Sequence, residues 1–152
     1  MDSSLGITYI GGPTALLEFG GLRLLTDPTF DGGGGDYPSG PVTLHKLTGP
    51  AKTAESLGHL DAVLLSHDHH FDNLDHAGLR LLGEAERVLT TSDGATRLGG
   101  GAVGLDHWQS IRIPAPDGSI LTITATPARH GPPGGDRGPV IGFVLAFEQR
   151  PD

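Results

Sequence analysis

Cysteine is absent from the 152 residues, which excludes disulfides and thiolate metal ligands. Any cation would have to be held by imidazole and carboxylate. Basic residues are scarce, ten Lys and Arg against 18 Asp and Glu, for a formal charge of −8. An acidic surface repels phosphate backbones, and no basic cluster interrupts it, so no nucleic-acid partner is expected. No stretch approaches the roughly 18 apolar residues that would span a bilayer, and no membrane partner is expected either. Met1-Asp2-Ser3-Ser4 lacks the basic patch and apolar run of a secretory signal, so the expected location is cytoplasmic. Hydrophobic residues are also few, at 36% beside 25 glycines and 12 prolines, which predicts short elements joined by many turns. Histidine is what the chain has in excess. There are eight, and positions 67, 69 and 70 all carry one.

Along the chain, Ile7 to Thr26 reads as short strands, broken by Gly11-Gly12-Pro13 and turned at Gly20-Gly21. Asp27-Pro28 ends that segment, because proline cannot continue a central strand. Residues 28–59 look irregular. The glycines at 32–35 carry a large ordering entropy, as suits a connector or a substrate lid. Asp61–Ser66 is the best buried-strand candidate. Leu74, Gly78, Leu81 and Leu82 then recur at helical spacing, with Asp72 or Asn73 placed to cap the first turn. Arg87–Thr91 reads as a strand and Asp93–Arg97 as a turn or short helix. Ile111 to Thr126 suggests a hairpin turned at Pro116-Asp117-Gly118, whose second arm alternates apolar residues with threonine. Pro127–Gly138 is a Gly/Pro loop carrying His130, and Val140–Phe147 is apolar on both faces, as in a strand covered on both sides. No repeat or linker appears, so residues 1–152 read as one strand-rich domain with one clear helix.

The chemistry concentrates in Ser66-His67-Asp68-His69-His70-Phe71-Asp72-Asn73. If the strand continues past Ser66, His67 and His69 face the same side with Cα atoms roughly 6.6 Å apart. Two imidazoles at that separation can converge on one cation. His70 points elsewhere unless the chain turns there, and Asp72 can add a carboxylate at the mouth of the helix. The remaining histidines have plainer readings. His45, His59 and His107 lie in loops and turns and read as surface residues, and His76 sits on the first helical turn.

This stretch resembles the metallo-β-lactamase superfamily, whose signature is His-x-His-x-Asp-His at the end of a strand. The nearest branch is that of ascorbate-phosphate lactonase-type hydrolases. The resemblance rests on Thr26-Asp27-Pro28, Leu65-Ser66-His67-Asp68-His69 and Thr126-Pro127-Ala128-Arg129-His130-Gly131, in that order along essentially the whole chain. It implies an α/β fold, the αββα sandwich. His67 and His69 would be ligands of a first metal and His130 its third. Asp72 would be the water-orienting carboxylate or a second-metal ligand, with His70 beside it. Asp27 would orient a liganding histidine or simply end the strand, and Asp68 would pair with a basic group or support a ligand.

Two departures accompany the match. Phe71 stands where the family has Asp, shifting the acid to Asp72-Asn73. After His130 the only acids are Asp136, Glu148 and Asp152, with no further His, so a bridging Asp and a terminal His are not found. The expectation is therefore about the first 60% of such a domain, with the C-terminal part missing. The implied function is a metal-dependent hydrolase of a small-molecule ester, lactone or phosphodiester. The alternative is a non-catalytic metal-binding or interaction remnant. Zinc is the default cation for a histidine-rich site, and manganese or iron are the alternatives, since ligand type discriminates weakly among them. A homodimer through an exposed apolar sheet face is also expected.

Overall fold

The computed structural model describes residues 4–132 and 138–148. The readings of Met1–Ser3, Asp136 and Asp152, and the middle of the Pro127–Gly138 loop, lie outside the described residues. Strands β1 (Gly6–Gly11), β2 (Thr14–Phe19) and β3 (Leu22–Thr26) form an antiparallel meander, as the two Gly-Gly turns predict. At β3 the sheet changes sense. β6 (Ala62–Leu64), β7 (Val88–Thr91) and β8 (Val103–Leu105) add in parallel, giving the order β1-β2-β3-β6-β7-β8. A second sheet holds β9 (Ser110–Pro114), β10 (Ile120–Pro127) and β11 (Ile141–Glu148) in the order β11-β10-β9. A third, β4 (Asp36–Ser39) with β5 (Val42–His45), is a hairpin inside the stretch that reads as irregular. Its two-residue turn is Gly40-Pro41, where Gly40 takes a positive φ of 60°.

Strand alternation explains the layering, because successive side chains point to opposite faces. From the central strands, Leu22, Leu24, Ala62, Leu64 and Leu89 face the second sheet, meeting Ile113, Leu121, Ile123 and Ala125 in one core. Their neighbours Leu25, Val63, Leu65 and Val88 face the other way and pack with Leu74 and Leu81 under the helical layer. This is the α/β architecture with two facing sheets that the sequence implies. The threonines of β10 alternate with its buried Leu121, Ile123 and Ala125. β11 departs from the expectation of a strand covered on both sides: only one face packs on the core, and Val144 on the other is 52% exposed. No helix among the described residues is long and apolar enough to cross a membrane.

Two short helices are present among the described residues, α1 (His76–Leu81) and α2 (Ser92–Leu98). The N-cap of α1 is Asp75, neither Asp72 nor Asn73, because residues 70–74 form a turn in which Asn73 N and Leu74 N donate to His70 O. Buried Asp75 accepts from Gly78 N, Phe30 N, Asp31 N and Lys46 Nζ at 2.7–2.9 Å. One carboxylate thus fixes the helix start, the chain after β3 and the end of the β4–β5 hairpin. Gly78 lets α1 approach so closely that a Cβ there would overlap the Pro28 carbonyl, whereas nothing lies within 4 Å of a Cβ at Gly83. Gly78→Ala is therefore expected to cost about 2 kcal/mol by forcing the helix away. Urea unfolding of Gly78→Ala beside Gly83→Ala checks this, and equal midpoints would refute it.

Candidate metal centre

The parallel strands β3, β6 and β7 all deliver their C-terminal ends to the same edge of the sheet, the usual place for binding groups in layered α/β folds. Asp27 follows β3, Ser66 and His67 follow β6, and α2 follows β7. Past Ser66 the chain bends instead of continuing extended. The spacing of two that aligns side chains along a strand therefore no longer applies. His67 and His70 come together, three positions apart, with ring centroids 5.6 Å apart.

His130 arrives from the loop after β10, its ring centroid 4.5 Å from His67 and 4.8 Å from His70. One ring nitrogen of each of His67, His70 and His130 lies within 4.8 Å of the other two. The backbone reinforces this meeting of the two sheets, since Ile141 N at the start of β11 donates to Ser66 O at 3.1 Å. His67 is 3% exposed. Its Nε2 and the Nδ1 of His130 are buried with no hydrogen-bond partner among the described residues. Buried polar atoms are nearly always satisfied, so two unpartnered nitrogens in one cluster fit a cation that takes imidazole ligands.

His69 sits beside this trio rather than within it. Its ring centroid is 5.8 Å from His67, and its Nε2 lies 2.9 Å from Arg97 Nη2. Arg97, on α2, also grips Asp68 through Nε and Nη2 at 2.8 and 2.6 Å, and the guanidinium holds that carboxyl below its usual range. Gly94, three residues before Arg97 on the same helical face, gives Asp68 its room, since a Cβ there would lie 3.1 Å from Asp68 Oδ1. Arg97 gave no signal in the sequence, being 28 residues from His69 in a helix with no motif. Asp68 does pair with a basic group. Asp72 is exposed at the rim, close enough that its charge favours protonation of His67. His45, His59, His76 and His107 are all exposed.

Electrostatics keep His67 neutral. Burial first, then the neighbouring His130, His70 and His69, lower its pKa from 6.5 to about 4, so at neutral pH its ring is uncharged, as a metal ligand would have to be. Behind it, Asp27 Oδ1 accepts from Ser66 N at 2.7 Å, and burial raises the Asp27 carboxyl to about 6. Ser66 Oγ lies 2.9 Å from His67 Nδ1, accepts from Asn73 Nδ2 at 3.2 Å, and hydrogen-bonds the Asp27 side chain. One proton assignment satisfies the set. Ser66 gives its single O–H to the carboxylate and accepts from His67 Nδ1–H, which leaves the Nε2 lone pair facing the cluster. Asp27 therefore reaches the histidine through Ser66, a residue adjacent to His67 whose part spacing alone does not show.

The sequence profile of the beta-lactamase superfamily domain matches residues 22–151. An uncharacterized protein of Mycobacterium tuberculosis is 35% identical over 136 residues, covering 84% of this chain and 34% of that protein. The mitochondrial N-acyl-phosphatidylethanolamine-hydrolyzing phospholipase D of Saccharomyces cerevisiae is 26% identical over 139 residues, covering 81% and 26%. Among solved structures, isothiocyanate hydrolase from Delia radicum gut bacteria superposes with a TM-score of 0.70 at 22% identity, over 93% of this chain and 58% of that one. The chain thus spans about a third of the length of the first of these relatives and somewhat over half of the solved structure.

Proposed function

The chain belongs to the beta-lactamase superfamily and has the metallo-β-lactamase fold, and from that premise we propose that His67, His70 and His130 hold a divalent cation that serves hydrolysis. The observation that carries this is the convergence of the three rings, with His67 Nε2 and His130 Nδ1 buried and unpartnered among the described residues. When bound, the cation supplies activation of water near neutral pH and polarisation of the scissile carbonyl or phosphoryl group. Zinc is the first candidate by ligand type, with manganese and iron behind it. Ester, lactone and phosphodiester bonds are the candidate substrates.

The protein's own groups then have distinct tasks. Asp27 and Ser66 hold His67 in the tautomer that presents Nε2. Arg97 occupies His69 Nε2 and so would keep His69 apart from the His67, His70 and His130 group. Asp72, exposed at the rim, orients the attacking water and receives its proton at a carboxylate oxygen. A metal-binding domain without turnover is the second reading. It is favoured by the absence of any carboxylate from the His67, His70 and His130 group among the described residues, which leaves a second cation poorly held.

The test is elemental analysis after dialysis against zinc, manganese or iron, followed by assays on a neutral ester, a lactone and a phosphodiester. One tightly held cation per chain is expected, lost in His130→Ala and kept in His107→Ala. Equal metal content in the two variants would dismiss the site. One retained cation without any turnover would select the second reading.

A further inference from the structure

Beside the histidine cluster lies a cavity of about 340 Å³, walled by the β4–β5 hairpin, the residues that follow it and the Gly11-Gly12-Pro13 turn. Phe71 and Asp72 are among its lining residues, which sets the cavity beside the turn that carries His70. The hairpin reaches the centre directly. Ser39 Oγ lies 3.5 Å from His70 Nδ1, and the Tyr37 and Phe71 rings stand 5.2 Å apart.

Four of the polar side chains in the wall, Thr29, Tyr37, His45 and Lys46, are already engaged. Thr29 Oγ1 is 2.9 Å from Thr14 Oγ1, Tyr37 donates to Asp31, His45 Nδ1 is 2.6 Å from Asp36, and Lys46 Nζ is bound to buried Asp75 at 2.8 Å. The Tyr37 phenol, pushed up to about 12 by burial and by Asp31, stays a neutral donor to that partner. The Lys46 ammonium is therefore neutralised from behind, and Asp72 adds a negative charge to the lining. Besides Thr48 and backbone at Gly11, Gly12 and Gly49, the rest of the lining is apolar: Pro13, Leu44, Leu47, Pro50 and Phe71.

We propose that this cavity receives an uncharged, apolar acyl or ring group of the substrate, which selects neutral esters or lactones over phosphodiesters. The substrate role of that group rests on the hydrolase reading, but the binding itself stands on the cavity alone. An anion entering here meets a lysine already paired and the Asp72 carboxylate, while an apolar group gains by leaving water. Each methylene buried should tighten binding about fourfold. Leu44 is the residue best placed to set the depth, because it sits on β5 opposite Tyr37.

The experiment titrates the full chain in EDTA with butanamide, pentanamide and hexanamide, and with hexanoate and hexyl phosphate as anionic counterparts. It follows the methyl resonances of Leu44 and Leu47. Binding that strengthens about fourfold per methylene through the amides, with the two anions at least tenfold weaker, is expected. Leu44→Trp should fill the space and weaken hexanamide by tenfold or more, while Leu79→Trp, on the half-exposed face of α1, should not. Leu47 is 88% exposed, so Leu47→Lys keeps the fold even if Leu44→Trp does not, and it should raise hexanoate affinity. Anions binding as well as hexanamide, absence of any length dependence, or no hexanamide binding at all would overturn the assignment. Zinc content of the same chain, dialysed against zinc before any EDTA is added, separates the two readings: a chain that binds hexanamide but retains no zinc keeps the cavity and loses the metal centre.

Discussion

Replacing His67 with alanine is expected to lower zinc affinity by more than about 100-fold. Loss of a group that merely orients a ligand typically costs ten- to hundredfold, and loss of the ligand itself should exceed that. His67 is the most buried of the histidines named for the site, at 3% exposure, and its Nε2 has no partner among the described residues. The variant removes the most buried ring of the cluster, and the neighbouring His69 imidazole is already engaged by Arg97. The informative comparison is with its neighbours. The tertiary cluster predicts that His70→Ala follows His67→Ala closely, whereas His69→Ala, whose Nε2 already meets Arg97, loses far less. Strand spacing alone predicts the reverse order for positions 69 and 70. Competition titration of the three variants against a chromophoric chelator decides between them, and a larger loss for His69→Ala than for His70→Ala would return the site to the spacing-based triad.

Asp27→Asn is expected to stabilise the metal-free protein at pH 7 while weakening its hold on zinc. Burial raises the Asp27 carboxyl from 3.8 to about 6, so between those values the folded chain binds a proton that the unfolded chain has released. The Asp27 contribution to stability then falls as pH rises through that window, since it declines wherever the native state carries the extra proton. The contribution is fully present below about pH 4 and gone above about pH 6, a difference of about 3 kcal/mol. Asparagine keeps an oxygen for Ser66 N without burying a charge, and it tolerates the backbone at Asp27, where φ is +24°. Urea unfolding in EDTA at pH 4, 5, 6 and 7 should show the variant gaining on the wild type by up to about 3 kcal/mol as pH rises. Zinc affinity should fall about ten- to hundredfold, because Ser66 loses the carboxylate that fixes the His67 tautomer. Parallel stability profiles for the two proteins would refute the first half, and unchanged zinc affinity the second. A stabilising change that damages binding is the signature of a group retained for its site.

Much of the fold can be read from local pattern. Glycine pairs at 11–12 and 20–21 mark the meander, Pro116-Asp117-Gly118 marks the β9–β10 turn, and the apolar run before Ser66 marks the central strand. These succeed because turn chemistry and period-two alternation act over a few residues. The β4–β5 hairpin does not read this way. Asp36, Pro38 and Thr43 make a poor strand pattern, and the pairing is held from outside, by the Lys46–Asp75 contact and the Tyr37–Asp31 hydrogen bond. Asp75 as the true helix cap is likewise a tertiary choice, since the same carboxylate must also satisfy Phe30 N and Asp31 N.

The sequence by itself determined that any metal donors would be imidazoles and carboxylates and that such residues cluster where the buried strand ends, and the family resemblance implied that His130 joins His67. Residue type and family resemblance are properties of the string. Only the tertiary structure decided which histidines meet. The bend after Ser66 converts an expected spacing of two into an actual spacing of three, Arg97 draws His69 aside from 28 residues away, and Ser66 places Asp27 behind His67. A ring nitrogen's direction depends on backbone angles at the turn and on partners distant in sequence, and neither is written in the order of the residues around it.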